Sequence, residues 1–328
     1  MSGFRFFEEE KDLVSKKNEP SPLQQNVAIP GSGIPILEAT SKTNAVFEGS
    51  KTYRYRSEQV FITKFDGIAI SHGTTKNEFL VSKSYVNDEL ILSIEMTDNV
   101  IAFNPPEMEQ AISLIADVDR IKCGVKVAVN KETGKIHRIV NKEEILKNWN
   151  AYKVTIRDKY GFARRVETID DIEKFIKLAE MQITNEQILI GDLETKLFFE
   201  IFFDKYLVGK EEFKPYNRRF GSQLFEGNIM TFNFDQKIRS EAPGLVEIQR
   251  RSVMDKSKTN FPAIEKMYDE RYKQIVGFKF TSFDLDFQGD VILNTDETIV
   301  EKAHYTITEE VKNNVQLVIN YELKRVDL

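Results

Sequence analysis

The sequence predicts an α+β protein: mainly antiparallel β-sheet halves flank a central two-helix layer at about residues 164–209, and an extended arm precedes them. Three observations carry this reading. Apolar residues alternate with period two on both sides of the middle, the middle recurs with helical period, and residues 1–50 are interrupted by proline and glycine. The alternation itself points to antiparallel pairing. Strands buried on both faces, as in a doubly wound parallel sheet, are apolar throughout rather than on one side.

In the arm, Phe4, Phe6 and Phe7 precede a charged run, and Pro20, Pro22, Pro30, Gly31, Gly33 and Pro35 follow. Prolines at this density oppose helix and central strand, so residues 1–50 read as extended. Two readings stay open: a flexible tail, or an arm laid on its own fold or on another subunit. Gly31 and Gly33 lack the Lys-Ser/Thr and the strand-to-helix context of a phosphate loop, which leaves a turn.

Residues 51–163 form a β-rich half with short helices. Asp66-Gly67 between apolar groups is a hairpin signal, and Leu90, Leu92, Ile94 and Met96 share one strand face. Asn104 with Pro105 behind it resembles a helix cap, ahead of a stripe of Met108, Ile112, Ile115 and Ala116. Residues 131–149 then read as strand, a turn at Thr133-Gly134, strand, and a helix capped by Asn141 with Glu144 at its third position. Ile145, Leu146 and Trp149 would pin that helix to the sheet. Here the chain resembles a strand-turn-strand-helix pattern found in many functionally unassigned β-rich bacterial proteins, particularly of the Bacteroidota; the resemblance implies no activity.

In the central segment, 164–212, Ile172, Ile176, Ala179 and Ile183 mark a first helix capped by Thr168. A second opens with a capping box of Thr184 and Gln187 and ends at Gly209. Leu193, Leu197 and Ile201 form its stripe, Phe198 and Phe202 lie beside it, and Phe199, Phe203 and Tyr206 are apolar on other faces. A helix apolar most of the way round needs more than one surface to bury against. It is either a core helix enclosed by sheet or a surface that receives a ligand or partner.

Residues 213–328 return to strands and are expected to form one continuous domain with 51–163. Met230, Phe232 and Phe234 alternate with polar neighbours, a helix is expected over 262–275, and the apolar parity switches between Phe280 and Phe283, suggesting a bulge or a bend near Thr281-Ser282. The last strand presents Val315, Leu317, Ile319, Tyr321 and Leu323 on one face.

A net charge of −6 argues against general nucleic-acid affinity, which needs clustered Lys and Arg on phosphates. Cys123 is the only cysteine and the acidic start lacks the features of a secretion signal, so a reducing, cytoplasmic setting is expected. No apolar run approaches the ~20 residues of a membrane-spanning helix. The chemistry is sparse. His72, His137 and His304 stand apart, Cys123 sits in a strand-like run, and the cluster of Asp284, Asp286 and Asp290 with Asn294 and Asp296 lacks the spacing of a calcium loop, Asp284 and Asp286 fitting the polar face of a strand. No catalytic residue, metal or cofactor is therefore assigned, and an enzyme ranks last. Arg218 and Arg219 are the candidate anion contact, as guanidinium forks suit carboxylate or phosphate. Two functions are expected. The first is a non-enzymatic interaction protein, an adaptor, chaperone or structural subunit of a larger bacterial assembly with a protein partner. Its surface would be Phe4, Phe6, Phe7, Leu197, Phe198, Phe199, Phe202, Phe203 and Tyr206. The second is a module that holds an apolar small molecule or lipid between a curved antiparallel sheet and the helices.

Overall fold

The computed structural model describes residues 48–105, 109–160, 166–209 and 214–327. The arm with Phe4, Phe6 and Phe7 lies outside them, as does the Thr168 side chain.

The strands fall into two meanders. One comprises β1 (Glu48–Phe65), β2 (Ile68–Val86), β3 (Glu89–Asn104), β4 (Val125–Val129) and β5 (Ile136–Ile139). The other comprises β6 (Tyr216–Gly221), β7 (Ile229–Ala242), β8 (Leu245–Met254), β9 (Phe283–Asn294), β10 (Ile299–Val311) and β11 (Val315–Val326). β1 pairs antiparallel with β11 from Arg54↔Val326 to Phe65↔Val315. The result is one antiparallel sheet in the order β5-β4-β3-β2-β1-β11-β10-β9-β8-β7-β6. The fold is thus α+β and antiparallel, and the two β-rich halves are one sheet rather than separate flanks. Helices occupy three connections: α1 (Glu109–Cys123) between β3 and β4, α2 (Lys142–Tyr160), α3 (Val166–Thr184), α4 (Glu186–Thr195) and α5 (Leu197–Phe202) between β5 and β6, and α6 (Phe261–Arg271) with α7 (Lys273–Val276) between β8 and β9. Among the described residues, no helix is long and apolar enough to cross a membrane.

Local chemistry explains the turns. Asp66 (φ 47°) and Gly67 (φ 76°) both take positive φ, the geometry of a two-residue hairpin whose twist matches that of its strands. Gly134 also has positive φ (69°), and a Cβ there would overlap the backbone carbonyl of Asp204, so the β4–β5 turn packs closely on the end of the helical segment. In β3, Thr97 bulges out of the ladder: Glu78 pairs with Asp98 and Phe79 with Met96. The bulge reverses the parity, so Leu90, Leu92, Ile94 and Met96 share a face with Asn99 and Ile101.

Several elements differ from the sequence reading. β3 runs through Asn104, so Asn104 caps no helix, and α1 begins at Glu109. Cys123 ends that helix instead of lying in a strand. The expected second central helix is broken in two, and its cap is Asn185, whose oxygen accepts from the amides of Gln187 (3.1 Å) and Ile188 (3.2 Å). Thr184 instead donates to the Glu180 carbonyl at 2.7 Å. The break falls at Lys196, where the backbone turns extended (φ −80°, ψ 132°). Just before it, the Thr195 hydroxyl competes for the Asp192 carbonyl at 2.6 Å. Gly209 does end the segment in the left-handed conformation, after a 3-10 turn at Lys205–Val208. Residues 278–282 stay outside the sheet and β9 starts at Phe283, so of the two alternatives near Thr281-Ser282 the bulge within a strand is excluded.

Helix α5 meets the inner face of the sheet through aromatic contacts. Phe198 of α5 stacks on Phe79 of β2 with centroids 4.0 Å apart, and Phe202 meets Tyr55 of β1 edge-on at 5.4 Å. Tyr55, Trp149, Phe199, Phe202 and Phe203 are all fully buried, each contributing roughly 1.5–3 kcal/mol by burial.

Candidate functional site

A cavity of about 290 Å³ lies between the inner face of the sheet and helices α1 and α5. Ile112 and Ala116 of α1 form one wall and Leu197 and Phe198 of α5 another, while Ile101 and Ile319 belong to the sheet floor. Ile115, 42% exposed, stands at its mouth. Phe220 of β6 also lines it. In the sheet order β3 and β6 are eight strand steps apart, about 38 Å on a flat sheet. One cavity touched by both requires the sheet to curl around the helices. The edge contact of Phe220 with Phe287 of β9, three strands away, at 6.1 Å has the same consequence.

The floor also carries polar groups. Asn77 of β2 and Asn99 of β3 are direct cross-strand partners and line the cavity together. Their carboxamide oxygens and the Tyr321 hydroxyl are shielded from solvent and have no hydrogen-bond partner among the described residues. Groups left that way cost about 1–3 kcal/mol each. Burial raises the Tyr321 phenol, and nearby Ser57 offsets part of the rise without reaching hydrogen-bond geometry.

Beside this floor lies an ionic quartet that joins α1 to α4. Lys122 reaches Asp192 at 2.8 Å, Asp119 at 3.1 Å and the Gln182 side-chain oxygen at 3.3 Å. Lys196 reaches Asp119 at 2.8 Å and Asp192 at 3.7 Å. Two cations face two anions, so the cluster is neutral. Burial alone would lower the Lys196 ammonium, but Asp119 and Asp192 raise it above its ordinary value. Burial pushes the neighbouring Cys123 thiol up to about 12, which leaves it a poor nucleophile.

At the cavity's far side, Gln223 belongs to a loop fixed by Glu309 of β10, which is 1% exposed. Its carboxylate accepts from the Ser222 hydroxyl and from the amides of Gln223 (2.8 Å) and Leu224 (3.3 Å). Burial pushes this carboxyl up to about 7, against the pull of those hydrogen bonds.

The residues singled out from sequence divide by direction. Leu197, Phe198 and Phe199 line the cavity, whereas Phe202, Phe203 and Tyr206 are buried in the core. Arg218 and Arg219 are consecutive on β6 and face opposite ways. Arg218 is half-buried against Glu200 and donates to the Glu194 carbonyl at 3.4 Å, while Arg219 is exposed. Arg250 has three partners, donating to Asp204 at 2.6 Å, Gln236 at 2.9 Å and Tyr305 at 3.1 Å. His72 and His137 are exposed and apart, and among the described residues no group of three metal-ligating side chains converges. Asn77 and Asn99 escaped the sequence reading. The signal that finds Asn99 is the change of apolar parity between Met96 and Ile101, which betrays the bulge.

No protein-family model matches this chain, and no curated protein does. Among solved structures it is similar to a lipovitellin structure described as "Lipid-protein interactions in lipovitellin", with 9% sequence identity and a TM-score of 0.40. The match covers 85% of this chain and 25% of that one, so the chain spans a quarter of that protein's length. At that TM-score the likeness carries no conclusion about what this chain does.

Proposed function

We propose that this chain is a non-enzymatic binding module that holds a small, largely apolar molecule between its curved sheet and helices α1 and α5. The observation that supports it is the cavity itself. Its volume of about 290 Å³ is at the lower end of ligand sites, and its walls from Ile112, Leu197 and Phe198 are apolar, over a floor that joins Ile319 with a few polar groups. The alternative, an adaptor, chaperone or structural subunit with a protein partner, has narrower support. Phe198, Phe199, Phe202, Phe203 and Tyr206 are buried, which leaves that reading to the arm.

Titration with an environment-sensitive apolar fluorophore tests the proposal, with Ala116→Trp as the control that fills the cavity from α1. Saturable binding that Ala116→Trp abolishes at unchanged melting temperature is the expected result. Failure of the unmodified protein to bind, or equal binding by Ala116→Trp, refutes it.

A further inference from the structure

We propose that the molecule held in this cavity is an uncharged amphiphile, its headgroup hydrogen-bonded by Asn77 and Asn99 and its chain lying between Ile112, Leu197 and Phe198; this rests on the cavity being a binding site. The β2–β3 register sets the two carboxamides side by side, and the Thr97 bulge is what turns Asn99 to the inner face. Side chains opposed in this way stand about 5 Å apart, close enough to grip one small polar group. Among the described residues neither amide oxygen has a partner, and Tyr321, 3% exposed, adds to the same lining a hydroxyl that, with Ser57 nearby, reaches no partner in hydrogen-bond geometry. Rotation of either carboxamide about its last torsion, which is broad and two-fold, presents oxygen or nitrogen to the cavity.

The chemistry of these three groups sets the class of headgroup. A carboxamide and a phenol each donate and accept, so they complement a group that does both, such as an alcohol or a primary amide. A carboxylate only accepts and an ammonium only donates. Charge weighs the same way. Among the described residues, the charged liners are Asp119 and Lys196, which are paired with each other at 2.8 Å and closed into a neutral quartet by Lys122 and Asp192. An ionic headgroup would enter without a counter-charge, and burying an unpaired charge is strongly unfavourable. The volume suits a short chain: at about 30 Å³ per water-sized group, it holds roughly ten carbons.

The test compares decanol and decanamide with decanoate and decylammonium, each displacing the fluorophore at pH 8 from the whole protein and from Asn77→Leu/Asn99→Leu. The neutral probes are expected to bind at least tenfold more tightly than either ion. The double variant should lose that preference while its melting temperature stays the same or rises, because two unpaired polar groups are replaced by apolar ones. Equal or tighter binding of decanoate or decylammonium overturns this inference while leaving the binding module standing. So does a double variant that keeps the preference. If none of the four displaces a fluorophore that does bind, this inference falls while the binding module stands; if the fluorophore itself does not bind, both fall.

Discussion

Removal of one cation from the Lys122–Lys196–Asp119–Asp192 quartet is the perturbation whose cost the structure defines best. In Lys122→Met the aliphatic stem keeps its packing and only the ammonium is lost. That ammonium has a side-chain exposure of 5% and Asp192 one of 9%, so water cannot replace it at either end. Among the described residues Asp192 would then keep Lys196, at 3.7 Å, and Asp119 would share that same cation. Breaking a buried pair by removing one partner costs about 3–5 kcal/mol, and a loss in that range is expected. Lys122→Met/Asp192→Asn restores neutrality around the 2.8 Å Asp119–Lys196 pair and should recover about 2 kcal/mol of it. Urea unfolding followed by the fluorescence of Trp149, the single, fully buried tryptophan, reads both variants. The pH dependence gives a second reading. Burial alone would raise the Asp119 carboxyl, but Lys196 and Lys122 hold it below its ordinary value. A depressed folded value contributes stability that is present above the unfolded value of 3.8 and lost as pH falls through the folded one. Without Lys122 the depression shrinks, so the variant should lose less stability than the parent below about pH 4. A cost under about 1 kcal/mol for Lys122→Met, or a double variant no more stable than the single, would refute the quartet as a structural unit.

Two further outcomes follow from charges buried elsewhere. Glu309, raised from 4.5 to about 7 by burial, contributes stability that is full below the lower value and lost as pH rises through the upper one. The stability of the parent relative to Glu309→Gln should therefore fall by up to about 3 kcal/mol between those values, and parallel urea-midpoint curves would contradict the assignment. Arg218→Ala strands Glu200, which is 8% exposed and among the described residues keeps Lys135 at 3.7 Å, and should cost about 2–3 kcal/mol. Arg219→Ala, on the exposed face, should stay within about 0.5 kcal/mol; equal melting temperatures for the two variants would show that Arg218 has no structural role.

Much of the local structure was legible because short-range chemistry dictates it. Alternation in Met230, Phe232 and Phe234 and in the last strand fixed which side chains are buried, Asp66-Gly67 fixed a hairpin, and Gly209 fixed the end of the helical segment. Errors arose where two local solutions compete. Asn185 outdid Thr184 as cap, and at Lys196 side-chain interactions replaced the helical continuation. The apolar excess of residues 197–203 was visible, but its partition between cavity wall and core was not.

By itself the sequence determined an α+β chain with one-faced antiparallel strands, because strand and helix periods are properties of adjacent residues. Only the tertiary structure decided that the two β-rich halves fuse along β1 and β11, that one bulge sets Asn99 beside Asn77, and that four charges from α1, α4 and the break after α4 cancel next to them. Each of these depends on pairings between residues far apart in the chain, and a period read along the chain carries no information about which distant strand or helix will complete it.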